Sequence, residues 1–340
     1  MDKQKVMIAG IGGASLGTEI CKALLLAGRY EVYGCDISTT AYGMYDPAFT
    51  ATYKVDRAHY LESVLDACAH AGASWLLPGG EQPMVLLGQA NDQLAAAGIS
   101  LIGNAPGVVA LCSDKKATFK HLKKVGISIP KTGFISQTAD LELIGFPCIV
   151  KPSTGTGGSD SVFFASSSDE AMIYAEFIRR NGGQAIAQEY VDEREGEFTI
   201  GVLSYQDGSA ASSIAMRRCL DAKLSVAYRG RGGLISSGYS QGYIDLFPDL
   251  CRQAEEIAVA VGSRGPLNVQ GRVRDGILLP FEINPRFSAS TYLRALAGLN
   301  EVAMFIHHLQ TGKHLGPVTI KPGWYLRSLT EQYVSRDRLK

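Results

Sequence analysis

The chain reads as an α/β protein, with a parallel, doubly wound sheet at the front and an antiparallel α+β part behind it. Three observations predict this. Short apolar strands alternate with helical stretches through the first hundred residues. Beyond residue 185, strand-like runs follow one another with few helices between them. Two such runs, 268–273 and 277–283, flank Arg274-Asp275-Gly276 and read as a hairpin.

In order, the elements are as follows. Residues 5–9 form a strand, Gly10 to Gly13 a turn, and 18–27 a helix stopped by Gly28. A second strand, 31–35, ends at Asp36. A helix over 59–71 leads to a strand at 75–77, which ends at Pro78-Gly79-Gly80. A helix over 84–97 and a strand at 100–102 complete this βαβ region. One helix is predicted over 108–124, with Gly126 as its stop signal. The strand 148–150 runs into Lys151-Pro152 and a glycine-rich run, followed by a helix over 170–180. Strands are predicted at 186–191, 197–203 and 212–216, then a flexible Gly/Ser/Arg-rich loop over 225–242. Helices over 250–261 and 292–311 bracket the hairpin. At 340 residues the chain exceeds one compact core, and boundaries are expected near 104 and 185, giving subdomains 1–104, 105–185 and 186–340.

Bulk properties narrow the function. Apolar residues make up 46% and charged residues 19%, which supports a sizeable core. Lysine plus arginine equals aspartate plus glutamate, at 33 each, so nothing steers the chain towards nucleic acid or an anionic membrane. There is no signal-peptide pattern, and no apolar run reaches the roughly 18 residues of a membrane span. The seven cysteines include no CxxC pair and sit mostly in apolar segments, as small hydrophobes in a reducing cytoplasm. The six histidines lack zinc-ligand spacing.

Three constellations carry chemistry. Gly10-Ile11-Gly12-Gly13 with Gly17 and Asp36 weakly resembles a dinucleotide fingerprint, but the spacing departs from GxGxxG, and a tight strand-to-helix turn that needs glycines for sterics alone accounts for it better. Lys151 ends an apolar strand and precedes Ser153-Thr154-Gly155-Thr156-Gly157-Gly158-Ser159, where small residues let backbone N–H groups approach phosphate oxygens. No P-loop sequence occurs. The third is Asn268-Val269-Gln270 with Phe281-Glu282-Ile283-Asn284-Pro285-Arg286. Glu282 and Asn284 are two apart on one strand and share a face. If opposed positions in the hairpin have an even sum, Gln270 joins them, and a three-residue loop 274–276 gives 550. One carboxylate with amide oxygens suits Mg²⁺, and Arg286 lies just beyond, placed for a transferring phosphoryl group. Pro280 predicts a bulge or an edge position.

Ser113-Asp114-Lys115, Pro147-Cys148-Ile149-Val150-Lys151-Pro152, Gln188-Glu189-Tyr190-Val191, Glu195-Gly196-Glu197, Asn268-Val269-Gln270 and Glu282-Ile283-Asn284-Pro285-Arg286 occur in the order seen in ATP-grasp enzymes. The chain resembles the carbamoyl-phosphate synthase large-chain type and its stand-alone carboxylate–amine ligase relatives, over roughly residues 5–315. The resemblance implies a Rossmann-like N-terminal subdomain followed by an ATP-grasp fold, with ATP held between two subdomains. It implies that Lys115 and Lys151 bind ATP phosphates, helped by the loop Ser153, Gly155, Gly157, Gly158 and Ser159. Glu189, Tyr190 and Val191 would form the adenine hinge, and Glu197 would bind the ribose. Gln270, Glu282 and Asn284 would hold Mg²⁺, or Mn²⁺ in its place, and Arg286 with Lys151 would act on the transferred phosphoryl. Departures stand beside these. Ser288 is followed by Ala289 where that type has a Ser-Arg pair, and Gly271 replaces an apolar residue. They argue against carbamoyl phosphate synthesis and leave carboxylate activation.

The expected activity is therefore an ATP-dependent carboxylate–amine ligase working through an acyl-phosphate. Its partners would be a small acid and an amine, without nucleic acid or membrane, and a homodimer is compatible with this reading. The two glycine-rich loops would serve as lids, and Arg229, Arg231 and Arg294 are the candidates for a substrate carboxylate. Two alternatives compete. An NAD-dependent oxidoreductase using residues 1–104 leaves Lys151 and Glu282 unexplained. A regulatory nucleotide-binding module that has lost catalysis sits poorly with an intact Gln270–Glu282–Asn284–Arg286 set.

Overall fold

A computed structural model describes residues 3–13, 16–154, 161–230 and 232–339. The chain opens with β1 (Gln4–Ala9), β2 (Tyr30–Asp36), β3 (Ala51–Lys54), β4 (Trp75–Pro78) and β5 (Ser100–Leu101), a parallel sheet in the order β3-β2-β1-β4-β5. Its faces are covered by α1 (Leu16–Leu26), α2 (Tyr60–Ala71), α3 (Glu81–Gln89) and α4 (Asn91–Ala96). The parallel α/β architecture is as expected, with two local differences. Strand β3 has no apolar run to announce it, because three of its four residues are only half-buried and the fourth is exposed. The helix expected over 84–97 is broken at Ala90, which lies between α3 and α4. The glycines of the first turn serve packing. A Cβ on Gly17 would lie 2.0 Å from the Gly10 carbonyl oxygen, and one on Gly79 would lie 1.9 Å from it.

The helix expected over 108–124 is two helices, α5 (Pro106–Ser113) and α6 (Lys115–Lys124). Asp114 is extended between them, and its carboxylate accepts from the Lys116 and Ala117 N–H groups as an N-cap. The break frees the Lys115 N–H to donate to the Ser153 carbonyl at 2.9 Å. That contact ties α6 to a small antiparallel sheet, β6 (Thr132–Phe134), β7 (Cys148–Pro152), β8 (Phe163–Ala165) and β9 (Ala185–Glu189), ordered β6-β9-β7-β8 and backed by α7 (Ser168–Arg180).

The larger antiparallel sheet comprises β10 (Glu197–Ser204), β11 (Ala210–Arg218), β14 (Gly242–Asp245), β15 (Pro266–Arg274), β16 (Ile277–Asn284) and β17 (Gly323–Tyr325), in the order β16-β15-β10-β11-β14-β17. Where a flexible loop was expected over 225–242, the described residues form a hairpin of β12 (Val226–Gly230) and β13 (Gly233–Ser236). The helix expected over 292–311 is interrupted after Leu296, giving α9 (Thr291–Leu296) and α10 (Glu301–Thr311).

Period-two alternation divides the larger sheet into two chemistries. Phe198, Ile200, Val202, Val269 and Ile283 pack in one core with Ala254, Ile257 and Ala258 of α8 (Pro248–Ala260) and with Phe119 and Leu122 of α6. The alternate positions Glu197, Thr199, Asn268, Gln270, Arg272, Glu282 and Asn284 therefore share the opposite face. Six of the seven cysteines are buried and all are free. Among the described residues, no helix is long and apolar enough to cross a membrane.

Candidate functional site

The polar face of the large sheet meets the small sheet across a cavity of about 240 Å³. Its apolar lining includes Ile149, Tyr190, Val191, Leu234 and Ile235. Its polar lining includes Arg286, Ser288, Arg218, Ser236 and Ser240, with Ala289 among them and with Lys115, Lys151, Gln270 and Glu282 in the same cavity.

Lys151 is buried on β7, where Nζ donates to Gln188 Oε1 and to the Phe281 carbonyl, each at 2.8 Å. A bulge makes the second contact available. Gln270 opposes Glu282 while Gly271 opposes Pro280, so Phe281 is skipped in the ladder. The expected three-residue loop is absent, since Arg274 pairs with Ile277 across a two-residue turn. That register alone has an odd sum. The bulge restores an even one, which places Gln270 directly opposite Glu282, and Asn268 opposite Asn284. The expected trio shares a face by a route other than the loop length.

Burial lowers the Lys151 ammonium from 10.5 to about 7, with Lys115 pushing the same way and Glu282 opposing. Between those two values the unfolded chain binds more protons at this residue than the folded one. Lys151 therefore subtracts from stability below about 7, and the penalty fades as pH rises towards 10.5. Anionic phosphates would restore the charge. Nucleotide binding near pH 8 is expected to take up protons, up to about one per site, and markedly fewer near pH 6, where the amine already carries its charge. Calorimetry in buffers of different ionisation enthalpy measures this. Equal uptake by the parent and by Lys151→Met would assign the proton elsewhere.

Glu197 lies in the cavity wall, yet its carboxylate is wholly buried between Arg218 at 3.2 Å and Arg272 at 2.9 Å. Arg272 also donates to the Val191 carbonyl at 2.7 Å and the Leu234 carbonyl at 2.8 Å, which ties the segment after β9 to β13. In the expected hinge, the Glu189 and Tyr190 N–H groups donate to the Lys131 and Pro147 carbonyls. Among the described residues, the Val191 N–H has no such partner. The Glu189 carboxylate pairs with Arg274 at 2.6 Å, which, with the Lys131 N–H, holds it below its usual range against the opposing effect of burial. Arg286 reaches the Phe287 carbonyl with Nη1, while its Nε is buried without a partner. Burial disfavours its charge, and Glu282 and Glu81 support it.

Among the described residues, no three His, Cys, Asp or Glu side chains form a metal cluster. The donor set is instead one carboxylate, Glu282, with the amides of Gln270 and Asn284. Asn284 has its Nδ2 buried without a partner, so its amide is not committed to a protein network. Oxygen donors of this kind, ringed by Lys115, Lys151 and Arg286, fit a hard divalent cation that also meets phosphates.

Several expected residues lie elsewhere. Arg294 does not face substrate, because it is fully buried and pairs with Glu301 at 3.3 Å. Arg229 is exposed and donates to the Leu220 carbonyl at 2.6 Å, outside the cavity lining. Ser153 is buried with its hydroxyl turned to Asp114 at 3.0 Å, so it braces the α5–α6 break. Gly155, Gly157, Gly158, Ser159 and Arg231 lie outside the described residues. The fingerprint residue Asp36 accepts from the Ile11 N–H at 2.8 Å and the Ser38 N–H at 2.9 Å, which occupies the oxygens a dinucleotide ribose would need. Sequence reasoning missed Arg272 and Arg218. Arg272 was within reach of the same two-residue spacing that linked Glu282 and Asn284, since 268, 270 and 272 share one face. No local signal marks Arg218.

An ATP-grasp domain family model matches residues 112–290. The chain is 26% identical over 260 residues to a carbamoyl phosphate synthase large chain of Mesorhizobium japonicum, covering 70% of this chain and 22% of that one. It thus spans under a quarter of that relative's length. Among solved structures, an L-amino acid ligase from Bacillus licheniformis superimposes with a TM-score of 0.65 at 18% identity, over 92% of this chain and 75% of that one. The biotin carboxylase domain of the Hydrogenobacter thermophilus 2-oxoglutarate carboxylase gives 0.67 at 17% identity, over 94% of this chain and 72% of that one.

Proposed function

Because the chain belongs to the ATP-grasp domain family, we propose that it is a Mg²⁺- and ATP-dependent carboxylate–amine ligase acting through an acyl-phosphate. The observation that supports this most is the bulged β15–β16 hairpin, which sets Gln270 opposite Glu282 and brings the Phe281 carbonyl to Lys151 in one cavity.

In this reading adenine lies against the apolar lining beside Val191, whose N–H would meet it, and the phosphates run towards Lys115 and Lys151. Glu282, Gln270 and Asn284 would hold Mg²⁺, which supplies charge neutralisation at the phosphate oxygens. A carboxylate oxygen of the acid attacks the γ-phosphorus, the bond to the bridging oxygen breaks, and ADP leaves with the electron pair. Arg286 and Lys151 would offset charge on the transferred phosphoryl. The amine then attacks the acyl carbon, phosphate departs, and the amine proton passes to solvent or phosphate. The β12–β13 hairpin, fixed to the hinge through Arg272 and through Tyr190 Oη on the Leu234 N–H, would exclude water meanwhile.

ADP release from pooled acids and amines, with the product identified by mass, tests the reading. Hydroxylamine offered as the amine should trap the intermediate as a hydroxamate, and calorimetry should show Mg²⁺–ATP binding without NAD binding. Acid-independent ADP release, or NAD bound in place of ATP, would overturn it.

A further inference from the structure

Part of the cavity wall is small and polar. Ser236, Ser240 and Ser288 line it, together with Ala289 and the guanidinium of Arg218. No aromatic or branched apolar side chain stands among these five. A long or greasy acid would find nothing there to bury against.

Arg218 is the unusual member. Its side chain is 2% exposed, and its Nη2 donates to the Ser237 carbonyl at 2.7 Å and the Tyr239 carbonyl at 3.1 Å. Its Nη1 meets Glu197, a carboxylate already shared with Arg272, and its Nε is buried without a partner. A second arginine lies behind the same wall. Arg327, following β17, has a side chain 7% exposed; Nη2 holds Glu19 at 2.8 Å and donates to the Ala289 carbonyl, while Nη1 is buried and unpaired. The two are near enough that the Arg327 charge disfavours that of Arg218. Arg286, in the lining of the same cavity, has its own unpaired buried Nε. Unsatisfied buried donors on cations are costly, and two like charges behind one wall are costlier still. An anion at this part of the wall would relieve both.

We propose that the acid substrate is a small molecule with two anionic groups, a dicarboxylate or an acidic amino acid, with one carboxylate at Arg286 for phosphorylation and the second at Arg218. The proposal rests on the ligase reading above. A monocarboxylate would satisfy Arg286 and leave Arg218 as it is. Arg327 is a positioning residue, since it holds the Ala289 carbonyl while its own backbone N–H donates to Gln241 Oε1 at 3.0 Å, so the segment after β17 braces the wall.

The test uses the full chain with Mg²⁺–ATP and excess hydroxylamine, so that the natural amine is not needed. Hydroxamate formation is followed for malonate, succinate, glutarate, aspartate and glutamate, and for monocarboxylates matched in length. The readout is the ratio of monoacid to diacid KM, which a general loss of folding or of ATP affinity does not move. The parent should favour at least one diacid by roughly 10- to 100-fold, the range of a charge-assisted hydrogen bond. Arg218→Lys should reduce that ratio to a few-fold, and Arg327→Gln should lower it less. Melting curves identify any variant that fails to fold, and the other variant then decides. Equal KM values for monoacids and diacids, or a ratio unchanged in both variants, would overturn the proposal. So would ATP binding in calorimetry without hydroxamate from any diacid, leaving nucleotide binding intact. If ATP itself fails to bind, the ligase reading fails first.

Discussion

Arg294→Met is expected to cost about 3–5 kcal/mol of stability, the range for removing one partner of a buried ion pair. Arg294 is fully buried. It meets Glu301 at 3.3 Å and Thr199 Oγ1 at 3.1 Å, and also donates to Asn268 Oδ1. Methionine fills much of the volume but leaves the Glu301 carboxylate, 1% exposed, with the Thr291 hydroxyl as its remaining neighbour from this network. The surroundings are built for the guanidinium. A Cβ on Gly201 would lie 2.4 Å from Arg294 Nη1 and 2.7 Å from Glu301 Oε2. Pairing Arg294→Met with Glu301→Gln should recover part of the loss, because the orphaned charge goes with it. Denaturant melts of the parent, both single variants and the double variant measure this. A loss under about 1 kcal/mol, together with a raised acid KM, would return Arg294 to the substrate site.

Arg294 also shows what the sequence could and could not tell. Its place after β16 suggests a substrate contact, but its partners lie 95 positions away at Thr199 and 26 away at Asn268. Pairings of that range have no local signature. Positions linked by strand periodicity were legible, because alternation is a property of the backbone. Glu282 with Asn284 is the clearest case, and Gln270 joined them by a bulge that Pro280 hinted at. Helix breaks were less legible. Residues 108–124 have helix-forming composition throughout, and the interruption at Asp114 is stabilised by Ser153 and Thr154, just past the end of β7. The sequence Ser113-Asp114-Lys115 carries a capping residue, a signal outweighed by the apolar period on both sides. The segment over 226–236 carries the composition of a loop, because Gly, Ser and Arg dominate it, yet it forms a hairpin. Tyr190 Oη and Arg272 hold its Leu234 from the hinge side, so the order comes from tertiary contacts that composition does not encode.

Glu282→Gln is expected to leave the fold intact and to lower metal-dependent turnover by about 10²- to 10³-fold, the scale of losing a preorganised electrostatic group in a closed site. Glu282 is half-buried on β16, opposite Gln270, in the wall shared by Lys151 and Arg286. It is the only carboxylate in the proposed donor set, and the two amides offer neutral oxygens. It also supports the charges of three neighbours, Lys151, Arg286 and Arg218. Glutamine keeps the shape but withdraws that support, so three cations face one another with less compensation. Each buried charge then becomes dearer, which makes Mg²⁺ affinity and phosphate alignment fail together. Asn284→Ala removes a neutral donor from a position whose Nδ2 has no partner, so it should weaken metal binding by a smaller factor. The order Glu282 before Asn284 follows from charge. Mg²⁺ titrations of acid-dependent ADP release on both variants measure it, with thermal melts as the control for folding. Near-parent turnover of Glu282→Gln at limiting Mg²⁺ would mean that the cation is held elsewhere and that the bulged hairpin serves structure alone.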